Sequence, residues 1–362
     1  MTAPSLPYAP ALVRGIGRAL VAAVVTLVVV AAWPAASPAG ASGIVTHSWM
    51  AAEAIPLVSD PALRAVLRAN ARDVEGGAHF PDSGYAAGVV GRVNFGEEAH
   101  WPRWHLTVAD DIAEDCPNLT ATSGACARRI ALLFGAVGHG MGDEVWDWLF
   151  EPQAPDRGES YVPPALSGSF SNTGLEMQMD LIAIGDYDRS TSSLPSLPAP
   201  AQLVDAFATV DHDPTVQGDD LQAGFVAISV ARNAERTLTA NHRASITRNM
   251  RWTSSHLVTA PGGIRFAARA IAGAWDNLWD RMQGEDPPTE VAATYPADGE
   301  TGVPTTGWDR AEFLPGSAPD RGGAETRITA VLDASLPFEP LASTPGDIDE
   351  QLPPGAMTLT RV

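Results

Sequence analysis

Residues 128–150 read RRIALLFGAVGHGMGDEVWDWLF, and this stretch is the most informative part of the chain. Its apolar residues predict a helix that carries three polar side chains, those of His139, Asp143 and Asp147, spaced four residues apart. Residues four apart lie on the same face of a helix, so one imidazole and two carboxylates are expected to converge on one small volume.

The composition of the same stretch favours a functional site on this helix. It contains Gly135, Gly138, Gly140 and Gly142, and each glycine costs a helix about 1 kcal/mol relative to alanine. The usual reason to remove a Cβ atom is close approach of the backbone to another group or to a ligand. Imidazole nitrogen and carboxylate oxygen are both zinc ligands, which makes a metal the first candidate. The alternative is a capped, solvated polar face that happens to include one histidine.

The bulk composition is that of a globular protein with an acidic surface. The 362 residues are enough for one large domain and a small one, and a hydrophobic content of 45% supplies a sizeable core. The formal net charge is −20, and every basic residue is arginine. Because nucleic acid and anionic lipid bind chiefly through lysine and arginine, this balance disfavours broad adhesion to either.

The first 41 residues have the features of an export signal. Two arginines are their only charges, residues 19–33 are apolar apart from Thr26, and residues 39–41 supply the small side chains that a signal peptidase reads. We therefore predict cleavage after Ala41 and a secreted, extracellular protein that begins at Ser42. The apolar run is shorter than the roughly 20 residues of a bilayer span; an uncleaved anchor is the alternative.

The two cysteines fit an oxidising compartment. Cys116 and Cys126 bracket a polar stretch with the composition of a surface loop, and we predict a structural disulfide between them. Closing so short a loop stabilises a fold by about 3 kcal/mol in the chain-entropy model.

Helical periodicity dominates the chain up to about residue 284. Pro61 follows Asp60, which predicts a capped helix with proline in its first turn, and residues 152–169 have the composition of a connecting loop. Helices are also expected at 46–57, 103–115, 175–184, 221–239 and 264–282. We therefore expect a mainly all-α domain over residues 42–284.

The composition changes after residue 284. Proline and glycine become frequent, and alternation such as that of residues 327–332 predicts strands with one buried face. Residues 293–304 resemble the first strand and turn of bacterial immunoglobulin-like modules. Residues 285–362 are therefore expected to form a linker and a small all-β, Ig-like module.

Further candidate ligands lie on both sides of the glycine-bearing helix. His47 lies five residues after Ser42, Asp82 follows His79-Phe80-Pro81 in a glycine-rich loop, and His100 precedes a tryptophan. On the other side, the chain has three more polar residues spaced by four: Asn172, Glu176 and Asp180.

In this order the motifs resemble the zinc-dependent phospholipase C and single-strand nuclease superfamily. The likeness is closest to bacterial zinc-dependent phospholipase C and to the amino-terminal domain of GPI-specific phospholipase D. The matching pieces are GIVTH at 43–47, FPDSGY at 80–85, HW at 100–101, GHGMGD at 138–143 and NTGLEMQMD at 172–180. The resemblance implies an all-helical domain that holds up to three zinc ions in a cleft and activates water against a phosphodiester.

Carried over position by position, the resemblance implies two zinc sites. One consists of Asp82, His100, His139 and Asp143, with Asp82 also the candidate catalytic residue. The other consists of His47 and the α-amino group and carbonyl of Ser42. Asp143 bridges the two sites. Two other histidines are alternative ligands: His79, and His105 in place of His100.

The third site of the family is altered here. The family has histidine near the position of Asp147 and at Asn172, with an acidic residue at Glu176. Here all three donors are oxygens, a set better suited to Ca²⁺, Mg²⁺ or Mn²⁺ than to zinc. The site is therefore expected to hold another ion, to hold zinc weakly or to be empty. Either Asp180 or Glu98 is a candidate to orient a ligand histidine.

These observations predict a secreted metal-dependent phosphodiester hydrolase, similar to phospholipase C, with zinc as its cofactor. The expected partner is a phospholipid or another phosphodiester, with peripheral contact to a membrane. Nucleic acid is less favoured, and no stable protein partner is inferred. Two alternatives are a secreted binding or surface protein on a degenerate phospholipase scaffold, and a nuclease of the same superfamily.

Overall fold

A computed structural model describes residues 43–100, 102–146, 150, 159, 174–189, 194–211, 215–260 and 262–284. Of these residues 78% are helical and none forms a strand, which confirms the mainly helical prediction for this part of the chain. None of the helices in these ranges has the length and apolar character that crossing a membrane requires.

Twelve α-helices are named in chain order within the described ranges. The first six are α1 Ile44–Ala54, α2 Pro61–Ala69, α3 Ala71–Gly77, α4 Phe80–Val89, α5 Gly96–His100 and α6 Pro102–Asp115, with a 3₁₀ turn Ile55–Leu57 after α1. The other six are α7 Ala125–Val145, α8 Gly174–Tyr187, α9 Pro200–Asp211, α10 Gly218–Asn249, α11 Arg251–His256 and α12 Ile264–Met282.

Local sequence signals explain where several of these helices begin. The Asp60 carboxylate accepts hydrogen bonds from the amides of Ala62 and Leu63, and Pro61 occupies the first turn of α2, as the sequence predicts. Gln217 and Asp220 form a capping box at the start of α10. These contacts satisfy terminal amides that would otherwise have no partner within either helix.

The glycine-bearing helix α7 lies at the centre of the packing. It contacts α3 on one side and α12 on another, and α1 packs against both α7 and α12. A Cβ atom at Gly135 would lie 2.2 Å from the carbonyl oxygen of Val74, and one at Gly77 would lie 2.0 Å from the carbonyl oxygen of Leu132. This pair of glycines lets the backbones of α3 and α7 touch, so glycine serves close approach here, as expected.

The element that contains Asp82 differs from its prediction. The sequence places Asp82 in a glycine-rich loop, but the structure places it in the first turn of α4, with Pro81 in the same turn. The reason is that the glycine here serves packing: a Cβ atom at Gly84 would lie 2.1 Å from the amide nitrogen of Gly96. Proline is compatible with a first helical turn because its missing amide proton has no partner there.

The disulfide between Cys116 and Cys126 is present, with Cα atoms 5.9 Å apart, and it closes the loop between α6 and α7. The signal at 1–41, the C-terminal module at 285–362 and all of the loop at 152–169 except Glu159 lie outside the described residues.

Candidate metal centre

Five of the predicted ligands meet in the interior, although they come from four different helices. His47 lies on α1, Asp82 on α4, His100 at the end of α5, and His139 and Asp143 on α7. The three histidines are 0–4% exposed and the two aspartates 7–8% exposed. Only the carboxylate edge of the cluster therefore approaches solvent.

Four of these side chains bring donor atoms close to one another around His139 Nε2. His139 Nε2 lies 3.0 Å from His100 Nε2, 3.3 Å from Asp143 Oδ2 and 3.8 Å from Asp82 Oδ1. His100 Nε2 lies 3.6 Å from Asp82 Oδ1 and 3.7 Å from Asp143 Oδ2. Zinc bonds of about 2.0–2.1 Å in tetrahedral geometry place neighbouring donors about 3.4 Å apart. The measured separations lie on both sides of that value, so these donors are spaced closely enough to hold a metal ion. Two groups have all their donor atoms within 4.8 Å of one another: His100, His139 and Asp143, and His47, Asp82 and His139.

Backbone carbonyls set the orientation of both imidazole rings. The Nδ1 atom of His139 lies 2.8 Å from the carbonyl oxygen of Ala78, and that of His100 lies 2.5 Å from the carbonyl oxygen of Gly96. A carbonyl oxygen can only accept, so each Nδ1 carries the proton and each Nε2 carries a lone pair. Two such lone pairs face each other and two carboxylates, an arrangement that requires a cation or added protons at its centre.

The pKa values describe how protons occupy the cluster without a metal. Burial favours the neutral ring of His100, but its hydrogen bond to Asp82 and the charge of Asp143 outweigh burial and raise its pKa to about 9. Burial and the neighbouring His47 lower the pKa of His139. Burial alone would raise the pKa of both aspartates, but the surrounding imidazoles lower it. The carboxylates are therefore ionised at neutral pH, and one proton lies mainly on His100.

Asp143 connects this donor set to His47. Its Oδ1 atom lies 3.1 Å from His47 Nε2, whereas its Oδ2 atom faces His139 and His100. The His47 and His139 rings are stacked with their centroids 3.6 Å apart. A carboxylate that presents its two oxygens to different imidazoles has the geometry of a ligand bridging two neighbouring metal positions.

The remaining predicted ligands do not fall within the described residues. Ser42, Asp147 and Asn172 are outside the described ranges, and for Glu176 the structure describes only the backbone, in α8. The terminal amine and the oxygen-only third site remain predictions.

The two alternative histidines lie elsewhere. His79 Nε2 contacts the hydroxyl of Ser48 at 2.7 Å and the carbonyl oxygen of Ile44 at 3.0 Å, so it serves the start of α1. His105 is buried on α6, and burial with the nearby His100 lowers its pKa to about 3. Among the described residues, neither belongs to the two groups of donors whose atoms lie within 4.8 Å of one another.

Sequence reasoning does not find the groups that orient the ligands. The carbonyls of Ala78 and Gly96 carry no sequence signal, because every residue has one. Asp180 does lie among the motif residues, and it binds the start of α1. Glu235, which interacts with Asp180, lies in the helix predicted at 221–239, and no spacing signal distinguishes it from the other polar residues there.

Comparisons of this chain with protein-family models, with curated proteins and with solved structures find no match. A function for this protein is therefore inferred from the chemistry of the described donors.

Proposed function

We propose that the protein is a secreted, zinc-dependent phosphodiester hydrolase similar to phospholipase C. The observation that carries the proposal is the proximity of His100, His139, Asp82 and Asp143: His139 Nε2 lies 3.0–3.8 Å from a donor atom of each of the other three. Two imidazole nitrogens and two carboxylate oxygens form a donor set that zinc accepts. Because these four ligands come from three separate helices, a bound zinc ion would also hold the three helices together.

The proposed centre would hold two further ions. Asp143 and His47 would hold a second zinc, with the α-amino group and carbonyl of Ser42. A third ion, either zinc or a harder Ca²⁺, Mg²⁺ or Mn²⁺, would be held by Asp147, Asn172 and Glu176.

The chemistry of the proposed reaction needs little else. When bound, zinc supplies water with a pKa near 7 and positive charge that offsets that of the phosphate. The surrounding protein keeps the ligands fixed: main-chain carbonyls hold the two imidazole rings, and burial excludes other solvent. Asp82 remains ionised because the imidazoles lower its pKa, and it is the candidate catalytic carboxylate that accepts a proton from the attacking water.

The substrate class is proposed from charge. A net charge of −20 disfavours long polyanions, so a phospholipid or another small phosphodiester is preferred to nucleic acid, with peripheral membrane contact. The replaced histidines at Asp147 and Asn172 favour one alternative, a secreted binding protein on a degenerate phospholipase scaffold.

The experiment measures zinc per chain and hydrolysis of a chromogenic phosphocholine ester on the same secreted protein. We expect at least two zinc ions and zinc-dependent hydrolysis. His139→Ala should lose zinc and activity, because its Nε2 atom contacts the other three donors. His105→Ala is the matched control, since it removes a buried histidine outside the donor set and should retain zinc.

The outcomes separate the alternatives. Bound zinc without hydrolysis of any phosphodiester would support the binding protein, and cleavage of single-stranded DNA in preference to the ester would support the nuclease. Unchanged zinc content in His139→Ala would refute the proposed centre.

A further inference from the structure

The start of α1, two residues before His47, is held by a carboxylate from a distant helix. Asp180 on α8 is fully buried; its Oδ2 atom accepts from the amide of Val45 at 2.8 Å, and its Oδ1 atom accepts from the amide of Thr46 at 2.8 Å and its hydroxyl at 2.7 Å. The residue that precedes the helix, Gly43, has no side chain to cap it. Asp180 therefore caps the N-terminus of α1, although it belongs to a different helix.

The fit at this point is tight. A Cβ atom at Gly43 would lie 2.3 Å from the Asp180 carboxyl carbon, so any other residue there would push the carboxylate away. The position of the first turn of α1 is therefore coupled to the position of one carboxylate. The same turn carries His47, whose Nε2 atom lies 3.1 Å from Asp143 Oδ1.

A second carboxyl group contacts the first. Glu235 on α10 is 9% exposed and lies in hydrogen-bonding contact with Asp180, and its Oε2 atom has no N–H or O–H donor among the described residues. An ionised carboxylate offers about four lone-pair sites. On Asp180, three of these sites accept from donors at the start of α1. Two ionised carboxylates cannot hydrogen bond to each other, so one proton must lie between them.

The direction of donation follows from the bonding of each group. Asp180 needs both of its oxygens as acceptors, because Val45 donates to one and Thr46 to the other. Three donors therefore stabilise the ionised form of Asp180, whereas Glu235 Oε2 has no donor among the described residues to stabilise a negative charge. Burial, the largest effect, raises the pKa of Glu235 well above its usual range, and it raises that of Asp180 to about 6. The proton belongs on Glu235.

We propose that Glu235 is a neutral acid that donates to Asp180, and that this carboxyl pair is a positioning unit that holds the start of α1 so that His47 faces Asp143. Its effect on metal binding rests on the proposed zinc centre. The pair touches neither substrate nor metal and acts only through the helix that it holds.

Two nearly isosteric substitutions give opposite expectations. Asp180→Asn replaces one acceptor by an amide NH₂ that faces N–H donors, and we expect a 10–100-fold loss of zinc affinity, the range typical of partners that orient a metal ligand. Glu235→Gln replaces the O–H donor by an N–H donor, so zinc affinity should stay within about threefold of the parent value. Competition with a chromophoric chelator measures both.

Asp276→Asn is the matched control. Asp276 on α12 is also buried, at 7% exposed, and accepts from the amide and hydroxyl of Ser59 and from the amide of Asp60. Its substitution should lower the melting temperature as Asp180→Asn does, but leave zinc affinity unchanged. Equal zinc affinity in the two variants would overturn the positioning role.

Further measurements cover the other outcomes. If Asp180→Asn does not fold, Thr46→Val removes a single donor to Asp180 and should lower zinc affinity severalfold. The infrared band of a protonated carboxylic acid should be present in the parent and absent in Glu235→Gln, whether or not zinc binds. If the parent protein shows this band but binds no zinc, the proposed function is refuted, whereas the proton shared between Glu235 and Asp180 is still supported. Loss of zinc affinity in Glu235→Gln as large as in Asp180→Asn would overturn the assigned direction of donation.

Discussion

The proton on His100 predicts how the stability of the metal-free protein depends on pH. In the folded protein its pKa is about 9, against 6.5 for the free side chain. Because the folded value is higher, this contribution to stability is complete below about pH 6.5 and is lost as pH rises through about 9. The gap corresponds to about 3 kcal/mol of unfolding free energy, or about 6–12 °C in melting temperature for a domain of this size.

The assay is thermal unfolding in a strong chelator across pH 6–10, for the parent and for His100→Gln. Glu235 also has a raised pKa, so the effect assigned to His100 is the difference between the two proteins. In the parent protein, saturating zinc should remove the loss of stability at high pH, because zinc takes the place of the proton and binds more tightly as pH rises. Identical pH profiles for the two metal-free proteins would refute the tautomers and charges described for the centre.

Three further predictions concern other parts of the molecule. Gly135→Ala should lower the unfolding free energy in urea by about 1–3 kcal/mol, because its Cβ would lie 2.2 Å from the Val74 carbonyl, whereas Gly218→Ala, with nothing within 4 Å, should have little effect. One residue added ahead of Ser42 should weaken one zinc site in a chelator titration without changing the melting temperature of the metal-free protein; retention of all zinc at parental affinity would exclude the terminus as a ligand. The isolated protein should hydrolyse the phosphocholine ester weakly, and added Mn²⁺ or Ca²⁺, or Asp147→His with Asn172→His, should raise the rate; full activity with zinc alone, lost in the double variant, would contradict this interpretation of the third site.

The parts of the fold that the sequence predicts well are those with strong apolar periodicity. The predicted helix at 264–282 matches α12, Ile264–Met282, because its apolar residues recur at helical spacing along its whole length. The helix predicted at 221–239 is shorter than α10, Gly218–Asn249, because the second half of α10 has mainly polar residues that propensity alone does not assign. The prediction of a loop at Asp82 is wrong, because glycines such as Gly84 are found both in turns and where two backbones pack closely, and the sequence does not distinguish the two.

The donors of the candidate centre are predicted as residues, but their geometry is not. The spacing of His139 and Asp143 on one helix places them together, since both lie on the same face. Nothing in the sequence gives the 3.0 Å separation of His100 and His139, because that distance depends on how α5 packs against α7.

The carbonyls of Ala78 and Gly96, which orient two of the imidazole rings, have a consequence for how such a centre changes in evolution. Every amino acid supplies a main-chain oxygen, so the two positions are constrained in size but not in chemistry. Ala78 is fully buried, and a Cβ at Gly96 would lie 2.8 Å from the Tyr85 ring. Related chains can therefore be expected to keep the histidines and small residues at these two positions while their surrounding sequences diverge beyond recognition.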